Sequence, residues 1–264
     1  KTNYIFAKKK FMLELFITYW WLIIGFFTIA LLYSSVGFGG GSSYLALLAL
    51  TSLSFTEFRA ISLICNIVVV SGGTYIFAKS GHFNWKKIFP LVLFSVPLAF
   101  LGGYLKISQA LFFILLGFSL LLASFSMFLN FKSEDESKLN YKKNTVRDGL
   151  FGGSIGFLSG MVGIGGGIFL APLLHLTKWD TSKKIAATAS FFILVNSISG
   201  LLGQITNPEF SLNYELTFVL LATVFIGGQI GSRIGANLVS QIFLKRATAV
   251  LITYIAITIL NKHL

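Results

Sequence analysis

Long apolar runs broken by short polar gaps dominate this chain. Breaks at charges, glycine clusters and prolines leave apolar segments near 11–36, 42–53, 58–78, 88–106 and 109–130, then near 148–163, 168–177, 184–203, 214–236 and 243–261. A regular helix needs about 20 apolar residues to cross a hydrocarbon core of about 30 Å. The segments at 42–53 and 168–177 are too short for that. The pattern predicts an all-α polytopic membrane protein of about 8–10 membrane segments, two of them short broken or re-entrant helices. The opening KTNYIFAKKK has the basic flank of a signal peptide, but the apolar run from Phe11 to about Val36 is too long for one and is expected as a retained first helix.

The most polar stretch, Phe131 to Asp148, carries four of the nine acidic residues (Glu134, Asp135, Glu136 and Asp148) and reads as a linker. It divides a first half, 1–130, from a second, 148–264, with 131–147 between them on the cytoplasmic side. The halves resemble each other. VGFGGGSSYLALL at 36–48 matches VGIGGGIFLAPLL at 162–174, pairing Gly37 with Gly163, Gly39 with Gly165, Gly40 with Gly166 and Gly41 with Gly167. Ser62 pairs with Ser190, Ser71 with Ser199 and Gly72 with Gly200, and Gly102-Gly103 and Gly227-Gly228 mark the fourth segment of each half. An ordered series of this kind points to an internal repeat. Interrupted segments at corresponding places of a duplicated membrane protein point to a transport site.

Composition sharpens this reading. Charged residues make up 11% of the 264 residues and hydrophobic residues 55%, against about 25% charge in a soluble domain, so the main solvent is lipid. Twenty-one Lys and Arg against nine Asp and Glu give +12. Because the bases sit in the gaps between apolar runs, they orient the chain against the inner leaflet and imply no nucleic-acid partner. Lys79, Lys86, Lys87, the linker, Lys178 to Lys184, and Lys245-Arg246 favour the cytoplasmic side, and the 204–213 loop favours the other. Counting the short segments as crossings satisfies these loops and gives an inverted repeat, at the expense of Lys8–Lys10 outside. A re-entrant count gives a parallel repeat and misplaces Lys183-Lys184 and Lys245-Arg246. The inverted arrangement is preferred. One cysteine, Cys65, excludes an intramolecular disulfide and a cysteine metal cluster.

Backbone groups freed by a helix break cannot face lipid, so the breaks at Gly39–Gly41 and Gly165–Gly167 must face protein or a wet cavity. Glycine there allows positive φ and close approach of a ligand. Helices that start at Ser42 and Ile168 would aim unpaired N–H groups and positive dipole ends at that place, which suits an anion. No Asp or Glu lies between Glu14 and Glu57, between Asp148 and Asp180, or between Asp180 and Glu209. The nearby polar groups are neutral: Ser42, Ser43, Ser62, Asn66, Thr188, Ser190, Asn196 and Ser199. The glycines spaced four apart, Gly152, Gly156 and Gly160, and Gly227, Gly231 and Gly235, read instead as helix-packing faces. Arg233 could clamp an oxyanion or snorkel to the interface. His175 reads as a solvated residue at a helix end, and Cys65 as a buried structural thiol.

With these motifs, the Ala-Pro-Leu at 171–173, the Ala-Thr-Ala-Ser at 187–190 and the Gly-Ser-Arg-Ile-Gly at 231–235, the chain resembles the TauE/SafE family, also called the 4-toluene sulfonate uptake permease family. The resemblance covers nearly the whole chain. It implies a multi-pass transporter of the bacterial cytoplasmic membrane, with members linked to sulfite, sulfonates and other small organosulfur anions, and with the glycine triplets, Ser62 and Ser190 as site candidates. The chain departs from the repeat at Ala46, where the second half has Pro172. The reading is a secondary transporter of small anions, of the sulfite, thiosulfate or sulfoacetate type, working by alternating access at a midplane site without cofactor or metal. Its expected partners are the anion and the bilayer. The site is expected to include Gly39, Gly40, Gly41, Ser42, Ser62, Asn66, Gly165, Gly166, Gly167, Ser190, Asn196 and Arg233. An anion channel is the alternative. A membrane enzyme is disfavoured because no catalytic cluster occurs in the apolar segments.

Overall fold

The structure is a computed structural model that describes the backbone of residues 2–35, 39–128, 144–208, 210–235, 249–250, 252–254 and 256–261. Nine helices are delimited among these residues: α1 (Thr2–Ser35), α2 (Gly41–Leu48), α3 (Phe55–Lys79), α4 (Trp85–Tyr104), α5 (Gln109–Phe128), α6 (Thr145–Val162), α7 (Gly167–Leu176), α8 (Ser182–Ile205) and α9 (Tyr214–Gly235). Further helical residues follow at Ile252–Asn261. Five stretches are long and apolar enough to cross a membrane: Phe16–Ser34, Phe55–Lys79, Trp85–Tyr104, Ser182–Ile205 and Tyr214–Gly231. Phe16, Trp20, Phe89, Phe118, Phe125 and Phe218 stand exposed on the outer faces, which is where side chains meet lipid. Gly37 and most of the 131–147 linker lie outside the described residues.

Local chemistry sets the helix ends. α3 starts three residues before the apolar run because Ser54 and Glu57 form a capping box: the Glu57 N–H donates to Ser54 Oγ (3.3 Å), and the Ser54 N–H donates to Glu57 Oε2 (3.0 Å). Asn144 caps α6 by accepting from the Arg147 N–H (3.0 Å). The expected single first helix is present, with one break in helical geometry at Tyr19 (φ −112°, ψ 15°) just inside the membrane-length stretch.

Glycine contacts reveal the helix directions. Cβ atoms added to Gly152, Gly156 and Gly160 would meet the backbone of Leu91, Ser95 and Ala99 in turn, so α6 runs alongside α4 in the same sense. Gly227 lies against Phe27 and Gly231 against Leu31, which makes α9 parallel to α1. Ser199 Oγ donates to the Val96 carbonyl (2.6 Å) and Gly203 abuts Phe100, so α8 follows α4 as well. Close approach of this kind replaces the hydrophobic driving force that helices lack in lipid. Two pairs are opposed: Gly117 lies against Leu260 while Ser124 Oγ donates to the Ala249 carbonyl (2.9 Å), and Gly73 lies against Ser190 while Gly200 lies against Leu63, so α3 and α8 are antiparallel.

A salt bridge from Lys87 Nζ to Asp180 Oδ2 (2.9 Å) places the α3–α4 and α7–α8 connections on one face. This face also carries Lys79, Lys86, Lys178, Lys183 and Lys184, and it is called the lysine-rich face below. Lys87 also donates to the Trp179 carbonyl (2.6 Å) and lies 5.1 Å above the ring of Trp179, itself fully buried. α1, α3, α5 and α9 run toward the lysine-rich face; α4, α6, α8 and Ile252–Asn261 run away from it. α7 turns back at Gly166, beside Ile155 and Ser159 of α6, and returns to the lysine-rich face. α2 turns back after α1 and leads to the opposite face, where α3 begins.

Candidate functional site

The two glycine breaks meet in the middle of α3. The Gly41 N–H, at the start of α2, donates to Asn66 Oδ1 (2.9 Å), and Asn66 Nδ2 donates to the carbonyl of Ile164 in the second break (2.8 Å). Ser62, one turn earlier, donates from Oγ to the Gly41 carbonyl (2.8 Å). All of these residues are buried. Glycine is required at 41 by proximity: a Cβ there would collide with the Asn66 amide and stand 2.8 Å from the Ile164 carbonyl oxygen. On the same break, Tyr33 Oη pairs with Ser43 Oγ (2.9 Å) and the Tyr44 ring crowds Gly40.

The second break has a different conformation. Gly163, Gly165 and Gly166 take φ of 86°, 82° and 84°, in the left-handed region that L residues rarely adopt, whereas Gly40 has φ −94°. Glycine's freedom to take positive φ is thus used at Gly165 and Gly166 and not at Gly40. There the glycines make room for Asn66, Ile29, Tyr44 and the second break. The left-handed run turns the chain sharply into α7. Among the described residues, the backbone N–H groups of Gly165, Gly166, Gly167 and Ile168 have no hydrogen-bond partner. Two buried hydroxyls without partners lie beside them. A Cβ on Gly165 would stand 2.6 Å from Ser197 Oγ, and one on Gly166 would stand 3.2 Å from Ser159 Cβ. Asn196 donates to the Phe192 carbonyl (2.8 Å), and its Oδ1 is buried and unpaired.

The described carboxylates are remote from this place. Glu57, Asp148 and Glu215 sit in the first turns of α3, α6 and α9, Asp180 lies in the α7–α8 connection, and Glu14 is exposed before the Tyr19 break. Unpaired N–H groups and hydroxyls thus lie together at the start of α7, with no carboxylate among the described residues beside them. A cavity lined by Ser34, Val70, Gly73, Ser190, Phe225 and Gln229 among others opens between α1, α3, α8 and α9 in the half nearer the lysine-rich face. Val70 lines it and also lies close to Gly39.

The chain matches the family profile described as sulfite exporter TauE/SafE over residues 21–259. It belongs to that family. A probable membrane transporter protein of Sinorhizobium fredii is 32% identical over 233 residues, covering 88% of this chain and 94% of the relative. Another of Methanocaldococcus jannaschii is 28% identical over 218 residues, covering 78% and 79% respectively. A third, of Bacillus subtilis, is 28% identical over 98 residues, or 37% of this chain and 35% of that one. No solved structure matches.

In this TauE/SafE member, the structure gathers Gly39, Gly40, Gly41, Ser62, Asn66, Gly165, Gly166 and Gly167 into one place, with Ser42 buried in the first turn of α2. Asn196 lies on the same stretch of α8, next to Ser197. Ser190 does not join them. Its hydroxyl pairs with Thr74 Oγ1 (3.1 Å) nearer the lysine-rich face, where it lines the cavity. The side chain of Arg233 lies outside the described residues. Sequence reasoning passed over Ser159 and Ser197, because a serine in an apolar helix gives no sign of which way it points. It also passed over Arg59, a cation just inside an apolar segment, which is a readable signal.

Proposed function

We propose that this protein is a secondary transporter of small oxyanions, of the sulfite, thiosulfate or sulfoacetate type, in the bacterial cytoplasmic membrane. One observation carries the reading: the unpaired N–H groups of Gly165 to Ile168 share the second break with two unpaired buried hydroxyls, Ser159 and Ser197, and no carboxylate among the described residues lies beside them. An oxyanion satisfies all of these donors together, and several modest hydrogen bonds allow release as well as capture. The family description names sulfite, which supports the choice of anion. The helix senses support two halves of inverted topology, 1–130 and 148–264, rocking about the shared site. The excess of lysine on one face supports a cytoplasmic assignment for it.

The test is anion binding by the purified protein, read as a concentration-dependent rise in melting temperature. Sulfite, thiosulfate or sulfoacetate should raise it, and chloride should not. In proteoliposomes, Gly165→Ala should abolish flux of that anion while the protein still inserts, because alanine is strained at φ 82° and its Cβ would crowd Ser197. Wild-type flux in that variant, or no response to any of the three anions, overturns the reading.

A further inference from the structure

A second polar site stands on the opposite side of the molecule from the Ser190 cavity. Arg59 is 3% exposed, lies in the first half of α3, and has no carboxylate partner among the described residues. Its Nη2 donates to the carbonyls of Gly102 (3.2 Å), Gly103 (3.2 Å) and Gly160 (3.1 Å). Those carbonyls belong to the last turns of α4 and α6, whose oxygens have no partners within their helices, so Nη2 caps two helices at once. That structural role uses one nitrogen of three. Nε is buried and unpaired. Gln204, near the end of α8 and 5% exposed, has both Nε2 and Oε1 buried and unpaired. A buried amide with neither end satisfied is costly, which calls for an occupant.

Arg59 and Gln204 line the same small pocket, with Thr56, Gly103, Asn207 and Phe210. An unpaired guanidinium N–H and an unpaired amide N–H on one pocket suit a small inorganic oxyanion. The void lies by the α8–α9 connection, away from the lysine-rich face. One face of α3 joins it to the rest of the machinery. Arg59, Ser62, Asn66, Val70 and Gly73 follow each other at three- and four-residue steps, from this void, past the glycine breaks, to the cavity beside Ser190. Arg59 and Asn66 are about 10 Å apart along the helix axis.

We propose that Arg59 and Gln204 form a second oxyanion-binding site, at the mouth opposite the lysine-rich face, through which the anion passes between solvent and the glycine breaks. The identity of the anion rests on the function proposed above, while the residues are separate. The test titrates sodium sulfite into the detergent-purified full chain and into three variants. Wild type should show two sites. Gln204→Leu keeps all three carbonyl bonds of Arg59 and should weaken one site by about tenfold or more, the effect of losing one hydrogen bond to a charged group. Arg59→Lys keeps the charge, loses the planar fork and should weaken the same site. Gly165→Ala should remove only the other.

If Arg59→Lys fails to fold, Gln204→Leu still decides. Wild-type titration curves for Gln204→Leu overturn the second site, whatever Gly165→Ala does. Loss in Gln204→Leu with none in Gly165→Ala upholds it and sinks the glycine reading. No sulfite binding to wild type overturns both.

Discussion

Asn66 has both ends of its amide committed, one to each break. Its residue type places a neutral donor and acceptor in an apolar helix, but the partners come from segments far apart in sequence. Asn66→Leu leaves the Gly41 N–H and the Ile164 carbonyl buried without partners, at about 1–3 kcal/mol each, and should lower the melting temperature clearly. Asn66→Asp still accepts from Gly41, but sets a carboxylate oxygen against the Ile164 carbonyl and puts negative charge where the oxyanion would sit. It should insert and yet fail to respond to sulfite in a thermal-shift assay. A normal sulfite response in Asn66→Asp would mean that the anion binds elsewhere. Ser62→Ala is the mild control. It loses one hydrogen bond, worth about 0.5–1.5 kcal/mol, and should lower the melting temperature less than Asn66→Leu does.

At the scale of elements, the glycine spacing separated packing from breaks correctly where contacts are described. Gly152, Gly156 and Gly160 form a smooth face on which the backbone of α4 lies directly, and Gly227 and Gly231 do the same for α1. A Cβ on Gly156 would be 2.5 Å from the Ser95 carbonyl oxygen, and backbone cannot step aside as a flexible side chain can. Gly156→Leu should therefore cost most of the folded yield in detergent. Gly228→Ala should be tolerated, since the nearest atoms, on Val69, are 3.8 and 3.9 Å away. Equal loss in both variants, measured by size-exclusion chromatography and melting temperature, would refute the distinction. The α7–α8 connection is a second joint. Asp180 is 5% exposed, holds Lys87 at 2.9 Å and Lys184 at 3.7 Å, and accepts from the Thr181 N–H. Asp180→Asn should loosen α7 from α4 and lower the melting temperature, because breaking a largely buried pair strands its partners.

For the whole molecule, the helix senses predict which loops share a face. Cys65 is fully buried, so the native thiol should react little with a membrane-impermeant maleimide. Single-cysteine variants at Lys86 and Lys183 should be labelled from the same side of the membrane, and variants at Lys106 and Asn207 from the other. Labelling of Lys86→Cys and Lys183→Cys from opposite sides would discard the arrangement derived from the Lys87–Asp180 bridge. Lysine gathers on the face of Lys86 and Lys183, while Lys8–Lys10 belong to the other end of α1.

Apolar run length, glycine spacing and the scarcity of charge were enough to read off the membrane class, the order of long and short helices, and the glycine clusters as places where helices stop. These are local properties, dictated by the length of a bilayer crossing and by what a missing side chain permits. The sequence could not say that one asparagine joins the two breaks, that among the described residues only the second turns through left-handed glycines, or that Ser197 rather than Ser190 stands beside them. It also could not say that Arg59 and Gln204 share a void. Those facts depend on which faces of α3, α4, α6 and α8 come together. Helix periodicity is nearly uniform in a chain so apolar, so only tertiary packing decides which way each buried polar group points.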